Sequence, residues 1–448
     1  MDDRTRTLLE APPTGLLVRL ATPNAVAFLI QSTVSLAEVW FIGRLGTTAL
    51  ASIALVFPAL MLTQAMSGGA FGGGVASAVA RALGAGHRER ADALIWHVLV
   101  IAVCGAATFL AIFLLFGETF LLALGGYGDV LAAAERYLLV LFCGGPSLWL
   151  MGMVSAVYRG SGNMKFPAML MIVSALIQVP LTACLVTGAF GLPQLGIVGA
   201  AISAVTSSTV ISLIMIVRLT GTSQTVRLHR GALHLKGELF ADIMRVAAPA
   251  SLSPLLTIGT VLLLTALVGR FGDAALAGYG IGSRIEFLLI PLVFGLGAAM
   301  TSLVGTATGA QMLERAERIG FTGAAMAMAL AGGVGILLAL FPDLWIPAFT
   351  DDPAAHETAR TYIRIVGPFF AFQGLGISLY FASQGAGRML WPIVVTIARV
   401  GLAVGGALLL IGPLGWGIEG IFAAAAAAMC LFGLAIALSV RLGAWRVR

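Results

Sequence analysis

The side chains of this sequence that could do chemistry are a few charged groups inside long apolar runs. Glu38 follows Asn24, Gln31 and Ser35 at spacings of seven, four and three residues, which places the four on one face of a helix. The resulting polar stripe is about 21 Å long at 1.5 Å per residue. A carboxyl group in such a setting can exchange a proton near neutral pH, because desolvation disfavours its charged form. The alternative is a hydrogen-bonded acid with a purely structural role.

A second set of charges, Glu286, Arg284 and Arg399, lies in the other half of the chain. A charge at the centre of a membrane-spanning helix costs about 2.5–3.5 kcal/mol on insertion scales and usually marks a pathway or an ion pair. Arg284 and Glu286 are two residues apart, so they do not face each other on a helix. Either these groups form a weak substrate site for a cation, or Glu286 pairs internally with one of the arginines.

Motifs of soluble enzymes are absent from the sequence. There is no GxxxxGK[ST], no HExxH, no CxxC and no nucleophile elbow. The four cysteines lie in apolar runs without metal-type spacing, which is typical of small packing residues. We therefore expect no enzyme activity, no metal site and no cofactor.

The runs that carry these charges are typical of a membrane protein. Of the 448 residues, 59% are hydrophobic and only 10% are charged, against about 25% charged in soluble domains. The 56 glycines favour a helical bundle, because transmembrane helices pack through small residues. The alternating segments of about ten residues that a barrel requires are missing.

Twelve runs approach or exceed the ~20 apolar residues that cross the hydrocarbon core. The predicted spans are 16–42, 49–79, 93–116, 130–157, 167–188, 195–217, 243–268, 274–305, 320–341, 358–384, 391–412 and 416–440. The connections after every second span, and the C-terminal tail, are rich in arginine and lysine, whereas most loop acids lie in the opposite set. By the positive-inside rule both termini are cytoplasmic in an inner (plasma) membrane. The net charge of +6 thus sets orientation and does not indicate a nucleic-acid partner.

The two halves of the sequence repeat one another. Five pairs recur 226 residues apart: Arg19/Arg245, Pro23/Pro249, Gly43/Gly269, Arg44/Arg270 and Gly46/Gly272. The repeat predicts two six-helix lobes, 1–218 and 241–448, joined by a cytoplasmic linker, 219–240. Because each lobe has six spans, a pseudo-two-fold axis along the membrane normal relates them, and a substrate site is expected at their interface. The paired prolines are predicted to kink helices one and seven, where they could act as hinges.

The charged residues do not follow this repeat. Leu264 stands opposite Glu38, Leu60 opposite Glu286, and Ser174 opposite Arg399. The shared scaffold therefore does not require these charges, which favours a functional role for them.

The ordered segments of the repeat resemble the MATE (multidrug and toxic compound extrusion) family over nearly the whole chain. The resemblance is carried by EVWFIGRLGTTALA (38–51), LGAG (83–86), YRGSGNMKFP (158–167), LGIVGAAIS (195–203) and their second-half counterparts. It implies a V-shaped transporter of twelve helices that expels cationic and amphipathic compounds in exchange for protons or sodium.

The resemblance also implies an ion-coupling site. The acid that the family carries on helix one falls on Glu38, and its Asn and Asp on helix five fall on Gln178 and Thr182. A single carboxylate with amide and hydroxyl neighbours suits a proton, with sodium as the other possibility. Gln31 and Ser35 complete the predicted site. Helix seven lacks the acid of several members, a role that falls to Glu286 here.

These observations predict a monomeric, secondary-active multidrug efflux antiporter whose partners are small cationic or amphipathic molecules and membrane lipid. The alternative is a flippase for lipid-linked oligosaccharides from the same wider superfamily. Arg284 and Arg399 favour the flippase, whereas Glu38 and Glu286 argue against it. A channel or membrane scaffold is the third interpretation.

Overall fold

The computed structural model describes residues 3–222 and 224–446, and within these ranges every regular element is helical. Eleven helices of this part of the chain are long and apolar enough to cross a membrane, or twelve if one bent pair counts as a single span. The predicted all-helical membrane fold is therefore confirmed. Each of the twelve predicted runs falls on one span, and the fourth falls on the bent pair.

The spans are labelled in chain order. They are α1 (Pro13–Gly43), α2 (Thr47–Gly84), α3 (Arg88–Ala123), α4 (the bent pair Gly128–Cys143 and Gly145–Gly160), α5 (Lys165–Thr187), α6 (Ile197–Leu219), α7 (Gly237–Gly269), α8 (Asp273–Gly309), α9 (Leu313–Leu340), α10 (Pro353–Ala386), α11 (Leu390–Ile411) and α12 (Ile418–Arg441). A short helix, Asp3–Glu10, precedes α1.

The fourth span is where the helical geometry departs from the continuous run predicted at 130–157. Its two halves meet at an angle of 54°, with Gly144 between them and Pro146 at the start of the second half. Proline has no backbone N–H to continue the helix. A side chain at Gly144 would also place its Cβ 2.3 Å from Val205 of α6. The bend therefore combines a proline with a close approach of two helices.

The chain divides by its contacts into two compact units. The first consists mainly of Val26–Ala247, and the second of Arg6–Ala25 together with Ala248–Arg448. The boundaries fall inside α1 and α7, within three residues of Pro23 and Pro249. The first part of each of these helices therefore belongs to one unit, and the rest of the helix belongs to the other. This division differs from the predicted lobe boundaries at 218 and 241, which remain a prediction from the sequence repeat.

Each unit has an apolar core of its own. Buried residues of the first core include Ile42, Val56, Leu121, Leu138 and Phe142, and those of the second include Leu267, Val268, Ile285, Ile363 and Phe422. Ile42 lies one helical turn after Glu38, so the acid stands directly beside the first core.

The segment between α6 and α7 is held against the start of α3 in the first unit. Four side chains of α3 bond to it: Arg88 to the Gln224 carbonyl (2.8 Å), Asp92 to the Arg227 N–H (2.7 Å), Trp96 to the His229 carbonyl (3.2 Å) and His97 to the Lys236 N–H (3.0 Å). Asp242 of α7 then pairs with Arg81 at 2.7 Å and with Arg90 at 3.0 Å. The linker is thus a docked part of the first unit.

Candidate functional site

The carboxylate of Glu38 is hydrogen-bonded to Gln178 in the first unit. Gln178 Nε2 donates to Glu38 Oε1 over 2.6 Å, which joins α1 to α5. Gln178 is only 8% exposed, and Glu38 is half-buried. Hydrogen bonds to an ionised acceptor are shorter and stronger than neutral ones, and 2.6 Å fits a bond to the charged carboxylate. The structure therefore brings together two of the residues predicted for ion coupling.

The other end of the Gln178 amide is held by Ser207 of α6. Ser207 Oγ lies 3.2 Å from Gln178 Oε1 and can donate to it, and the serine is fully buried. Because a carboxylate only accepts hydrogen bonds, the amide nitrogen must face Glu38 and the amide oxygen must face Ser207. The sequence analysis missed Ser207. Ser207 is one of four consecutive hydroxyl residues, Thr206 to Thr209, and the sequence has no signal that distinguishes it from the others.

Two further polar groups lie in this region of the first unit. Thr182 follows Gln178 by four residues on α5, hence on the same face, and is fully buried. Its Oγ1 has no hydrogen-bond partner among the described residues. Tyr137 of α4 is 3% exposed and interacts electrostatically with Glu38. Tyr137 was not predicted, because nothing in its spacing relates α4 to α1.

The polar stripe predicted along α1 is not one continuous site. The Ser35 hydroxyl donates to the Gln31 carbonyl at 3.3 Å, within its own helix, and both residues are half-buried. Asn24 is 2% exposed and belongs to the second unit, whereas Gln31, Ser35 and Glu38 belong to the first. The stripe is therefore divided between the units a few residues after Pro23.

Glu286 of α8 is hydrogen-bonded to Tyr362 of α10 in the second unit, with Tyr362 OH donating to Glu286 Oε1. The Tyr362 ring packs edge-on against Tyr279 at 5.5 Å and against Phe422 at 5.1 Å. This aromatic packing fixes the phenol that bonds the carboxylate. Tyr362 was also missed by the sequence analysis, because an aromatic residue at helical spacing is usually a core residue.

The two arginines predicted near Glu286 take different positions. Arg399 of α11 interacts electrostatically with Glu286, and its guanidinium lies over the Phe432 ring, 4.8 Å from the centroid. Arg284 is exposed and lies over the Phe349 ring at 5.4 Å. Within the described residues, neither arginine forms a direct ion pair with Glu286. The hydrogen bond of this acid goes to a neutral phenol.

A pocket adjoins Glu286 in the second unit. Its lining is mostly apolar: Leu289, Ile290, Val293, Ala331, Phe370, Gly374 and Ile377. Gln373 also lines it, and Gln373 Oε1 is buried without a hydrogen-bond partner in the described part of the chain. A carboxylate and an unpaired amide oxygen are both acceptors. The space inside this lining is only about 10 Å³, enough for one water molecule, so a larger ligand requires it to widen.

The described residues contain no group of three or more His, Cys, Asp or Glu side chains that could hold a metal ion. In the first unit, Glu38, Gln178 and Ser207 form a hydrogen-bonded series. In the second unit, Tyr362 and Gln373 lie beside Glu286.

Comparison with known proteins gives one family and several relatives. The family model described as MatE matches residues 23–184 and, a second time, residues 249–409. The two matches begin at Pro23 and Pro249, the same pair that the sequence repeat aligns.

The relatives are distant but span most of the chain. The chain is 26% identical over 384 residues to the probable multidrug resistance protein NorM of Thermotoga maritima, covering 86% of this chain and 82% of that protein. It is also 26% identical over 421 residues to an FAD transporter of Shewanella oneidensis, covering 92% and 90%. A solved outward-facing multidrug resistance MATE family transporter of the MOP superfamily has a similar fold, with TM-score 0.89, 24% identity, and coverage of 98% and 97%.

Proposed function

Because the chain belongs to the MatE family of membrane transporters, we propose that it is a secondary-active multidrug efflux antiporter that exports cationic or amphipathic compounds in exchange for protons. The observation that carries the proposal is the bond from Gln178 to Glu38. It gives an acid inside a membrane-spanning helix a neutral hydrogen-bond partner and no direct ion pair. Such an acid can change its protonation state without leaving an opposite charge unpaired.

The proposed exchange is a competition between a proton at Glu38 of the first unit and a substrate in the second unit for two states of the protein. With Glu38 ionised, Gln178 holds it through a charge-assisted bond that ties α1 to α5. Protonation removes the charge and weakens that bond. In the proposal, α1 then changes its bend near Pro23, and the substrate is released to the outside.

The membrane potential sets how far such an exchange can concentrate a substrate. Each elementary charge moved across the membrane is worth about 2.3 kcal/mol per 100 mV. At 1.4 kcal/mol per tenfold change, one net charge supports a substrate gradient of roughly 40-fold. That gain applies to a neutral substrate; exchange of one proton for a monovalent cation such as ethidium moves no net charge, so the pH gradient alone drives it.

A proton as the coupling ion is supported by the groups around Glu38. Its hydrogen-bond partner is an amide nitrogen, which donates and cannot bind a cation. Within the described residues of the first unit, no second carboxylate joins Glu38. Sodium remains the rival ion, and imposed gradients of the two ions distinguish them directly.

The cationic end of a substrate is proposed to meet Glu286 and Gln373 in the second unit. The pocket beside them is lined mostly by apolar side chains and must widen to admit a drug-sized body, and the Tyr362 bond orients the carboxylate. Arg399 is proposed to moderate the charge of Glu286. Multidrug resistance relatives such as the Thermotoga maritima protein support this substrate class.

An anionic substrate is the second candidate, and one comparison favours it. The Shewanella oneidensis relative, named as an FAD transporter, matches more of the chain than the Thermotoga maritima protein does. FAD carries a negatively charged diphosphate, which Arg284 and Arg399 could bind. The same chemistry applies to the diphosphate of a lipid-linked oligosaccharide. Ethidium and FAD uptake by the same vesicles separates the two substrate classes.

Pro23 and Pro249 are proposed as the hinges of transport. The unit boundaries at Ala25/Val26 and Ala247/Ala248 lie within three residues of these prolines. We propose that movement of one unit relative to the other is absorbed at these two crossings and at the third, between Thr5 and Arg6. A proline lowers the resistance of a helix to bending, because it removes one backbone hydrogen bond. We further propose that both termini are cytoplasmic and that the transporter acts as a monomer.

The test is ethidium transport by purified protein in liposomes, with proton and sodium gradients imposed separately. Wild-type protein should respond to the proton gradient, and Glu38→Gln should lose that response while still binding ethidium. Glu118→Gln is the matched control, because Glu118 is an exposed acid of α3. Full proton-driven transport by Glu38→Gln contradicts the coupling site, and a response to sodium alone contradicts the coupling ion.

A further inference from the structure

The Ser207 hydroxyl has two possible acceptors, and one of them is the side-chain amide of Gln178. Its Oγ lies 3.2 Å from Gln178 Oε1 and 3.1 Å from the Ala204 carbonyl. A hydroxyl has one proton to donate and can also accept. Ser207 can therefore donate to the amide, or turn to the Ala204 carbonyl and accept from the amide instead.

The Gln178 amide has only one orientation that suits an ionised Glu38. Its NH₂ group must face the carboxylate, and its oxygen then faces Ser207, which donates. Glu38, Gln178 and Ser207 each have a hydrogen-bond partner in that arrangement. It is the arrangement observed in the structure.

When Glu38 is protonated, its O–H group can donate a hydrogen bond, whereas the ionised carboxylate can only accept one. If the amide turns over, Gln178 Oε1 can accept from the acid and its NH₂ group can donate to Ser207. Ser207 can then donate a hydrogen bond to the Ala204 carbonyl, which lies 3.1 Å from its Oγ. The turned-over chain is also fully paired, so a buried amide can change orientation without leaving an unsatisfied group, which is otherwise destabilising.

From this geometry we propose that Ser207 is a positioning residue for proton coupling, which holds the Gln178 amide toward ionised Glu38 and releases it to turn over when Glu38 is protonated. The inference rests on the proposed role of Glu38. No proton passes along the chain: it binds to and leaves from Glu38, and Ser207 changes only the direction of its hydrogen bond.

The surroundings leave few other groups to perform this function. Tyr137 of α4 is the titratable side chain that interacts electrostatically with Glu38, and Gln178 and Ser207 do not titrate. Thr182 is buried on the α5 face that carries Gln178, but its hydroxyl has no partner among the described residues. Ser207 alone of the described hydroxyls bonds to the Gln178 amide.

The test is the pH dependence of ethidium binding by the full-length protein, compared between Ser207 variants. In Ser207→Ala, the arrangement with ionised Glu38 loses the hydroxyl that donates to Gln178 Oε1. That bond polarises the amide and strengthens its N–H donation to the carboxylate. The turned-over arrangement loses only a neutral bond, and bonds that involve a charge are roughly twice as strong. The pH midpoint of binding should therefore rise by about half a unit, with ethidium binding at high pH preserved.

Two further variants keep the test decisive. Ser207→Thr retains a hydroxyl and should keep the wild-type midpoint. Ser207→Cys has a weak donor and acceptor and should shift the midpoint upward by less than Ser207→Ala. The matched control is Ser203→Ala, because Ser203 is also fully buried on α6 but bonds only to the Gly199 carbonyl, at 2.8 Å.

The outcomes separate this inference from the proposed function. A midpoint that moves in Ser207→Ala and Ser207→Cys, and stays in Ser207→Thr and Ser203→Ala, supports it. A midpoint that is unmoved or lowered in Ser207→Ala, while Glu38→Gln abolishes the pH dependence, overturns the role of Ser207 and leaves Glu38 in place. A wild-type pH dependence in Glu38→Gln overturns both.

Discussion

Replacement of Gln178 by leucine removes the one hydrogen bond that the structure gives to the Glu38 carboxylate. Nε2 and Oε1 are 2.6 Å apart, the length expected of a bond to a charged acceptor. Such bonds contribute about 1.5–3 kcal/mol. Because Glu38 is half-buried and water can replace part of the bond, the lower end applies.

The expected effect is a shift of the pH profile. Loss of the bond destabilises the ionised form of Glu38, so the proton binds at a higher pH and displaces the substrate there. At 1.36 kcal/mol per unit, the midpoint of ethidium binding should rise by roughly one pH unit. The leucine keeps the volume, and Ser207 keeps its bond to the Ala204 carbonyl, so folding should be little affected.

The assay is ethidium fluorescence on purified protein between pH 5 and 9. Gln194→Leu is the matched control, because Gln194 is exposed in the connection from α5 to α6, and its midpoint should be that of wild type. A Gln178→Leu midpoint equal to that of wild type, with the protein folded and binding at high pH, refutes the reasoning. It would mean that the observed bond does not bias the protonation of Glu38.

Three further predictions concern other residues. Thr182→Val should leave thermal stability nearly unchanged, because the buried hydroxyl has no partner to lose; a large loss indicates an unrecognised ligand. Tyr362→Phe should weaken ethidium binding about tenfold, since it removes the bond to Glu286 and one such bond is worth about 1.4 kcal/mol. Asp242→Asn should lower the melting temperature by a few degrees, because it breaks a partly buried pair in which Arg81 and Asp242 have 17% and 18% of their side chains exposed; the loss is smaller than the about 3–5 kcal/mol of a fully buried pair.

Two of these predictions have a control in the chain. Tyr380→Phe removes another buried phenol hydroxyl of α10, which bonds to the Ala250 carbonyl at 3.2 Å, and should bind ethidium as wild type does. Glu10→Gln is the control for Asp242→Asn, because it breaks an exposed pair in which the side chains of Arg6 and Glu10 are 68% and 65% exposed. It should leave the melting temperature unchanged. An unchanged melting temperature in Asp242→Asn contradicts the docking of α7 to the first unit by this pair.

The spans could be predicted from the sequence because the hydrocarbon core imposes a length and a composition on each helix. Every predicted run falls on one span of the structure. The repeat was equally visible, since Pro23 and Pro249 mark the starts of the two family matches. Hydropathy has no signal for a bend, however, and the 54° break in α4 lies inside a continuous apolar run.

The candidate site was only partly predictable. A charged residue in an apolar run stands out, so Glu38 and Glu286 were found from the sequence alone. Gln178 and Thr182 came from a family resemblance, and only Gln178 proves to contact Glu38. Ser207 and Tyr362 are neutral, and their partners lie on helices distant in sequence, so no spacing relates them.

The division of α1 and α7 between the units was also beyond sequence reasoning. The repeat places a lobe boundary in the linker, because the second copy begins after it. The contacts divide the chain at a different place: the linker is bonded to α3, and Asp242 is paired with Arg81 and Arg90. Side-chain contacts of this kind depend on the three-dimensional position of α7, which the pattern of hydrophobic runs does not encode. The lobe boundaries stay a prediction from the sequence repeat.

Proton release on substrate binding tests the central claim most directly. When ethidium is added to purified protein in weakly buffered solution near the midpoint pH, wild-type protein should release protons, because binding favours ionised Glu38. Glu38→Gln should bind ethidium with no release, and Glu118→Gln should release as wild type does. Equal proton release by wild type and Glu38→Gln would contradict Glu38 as the site of coupling.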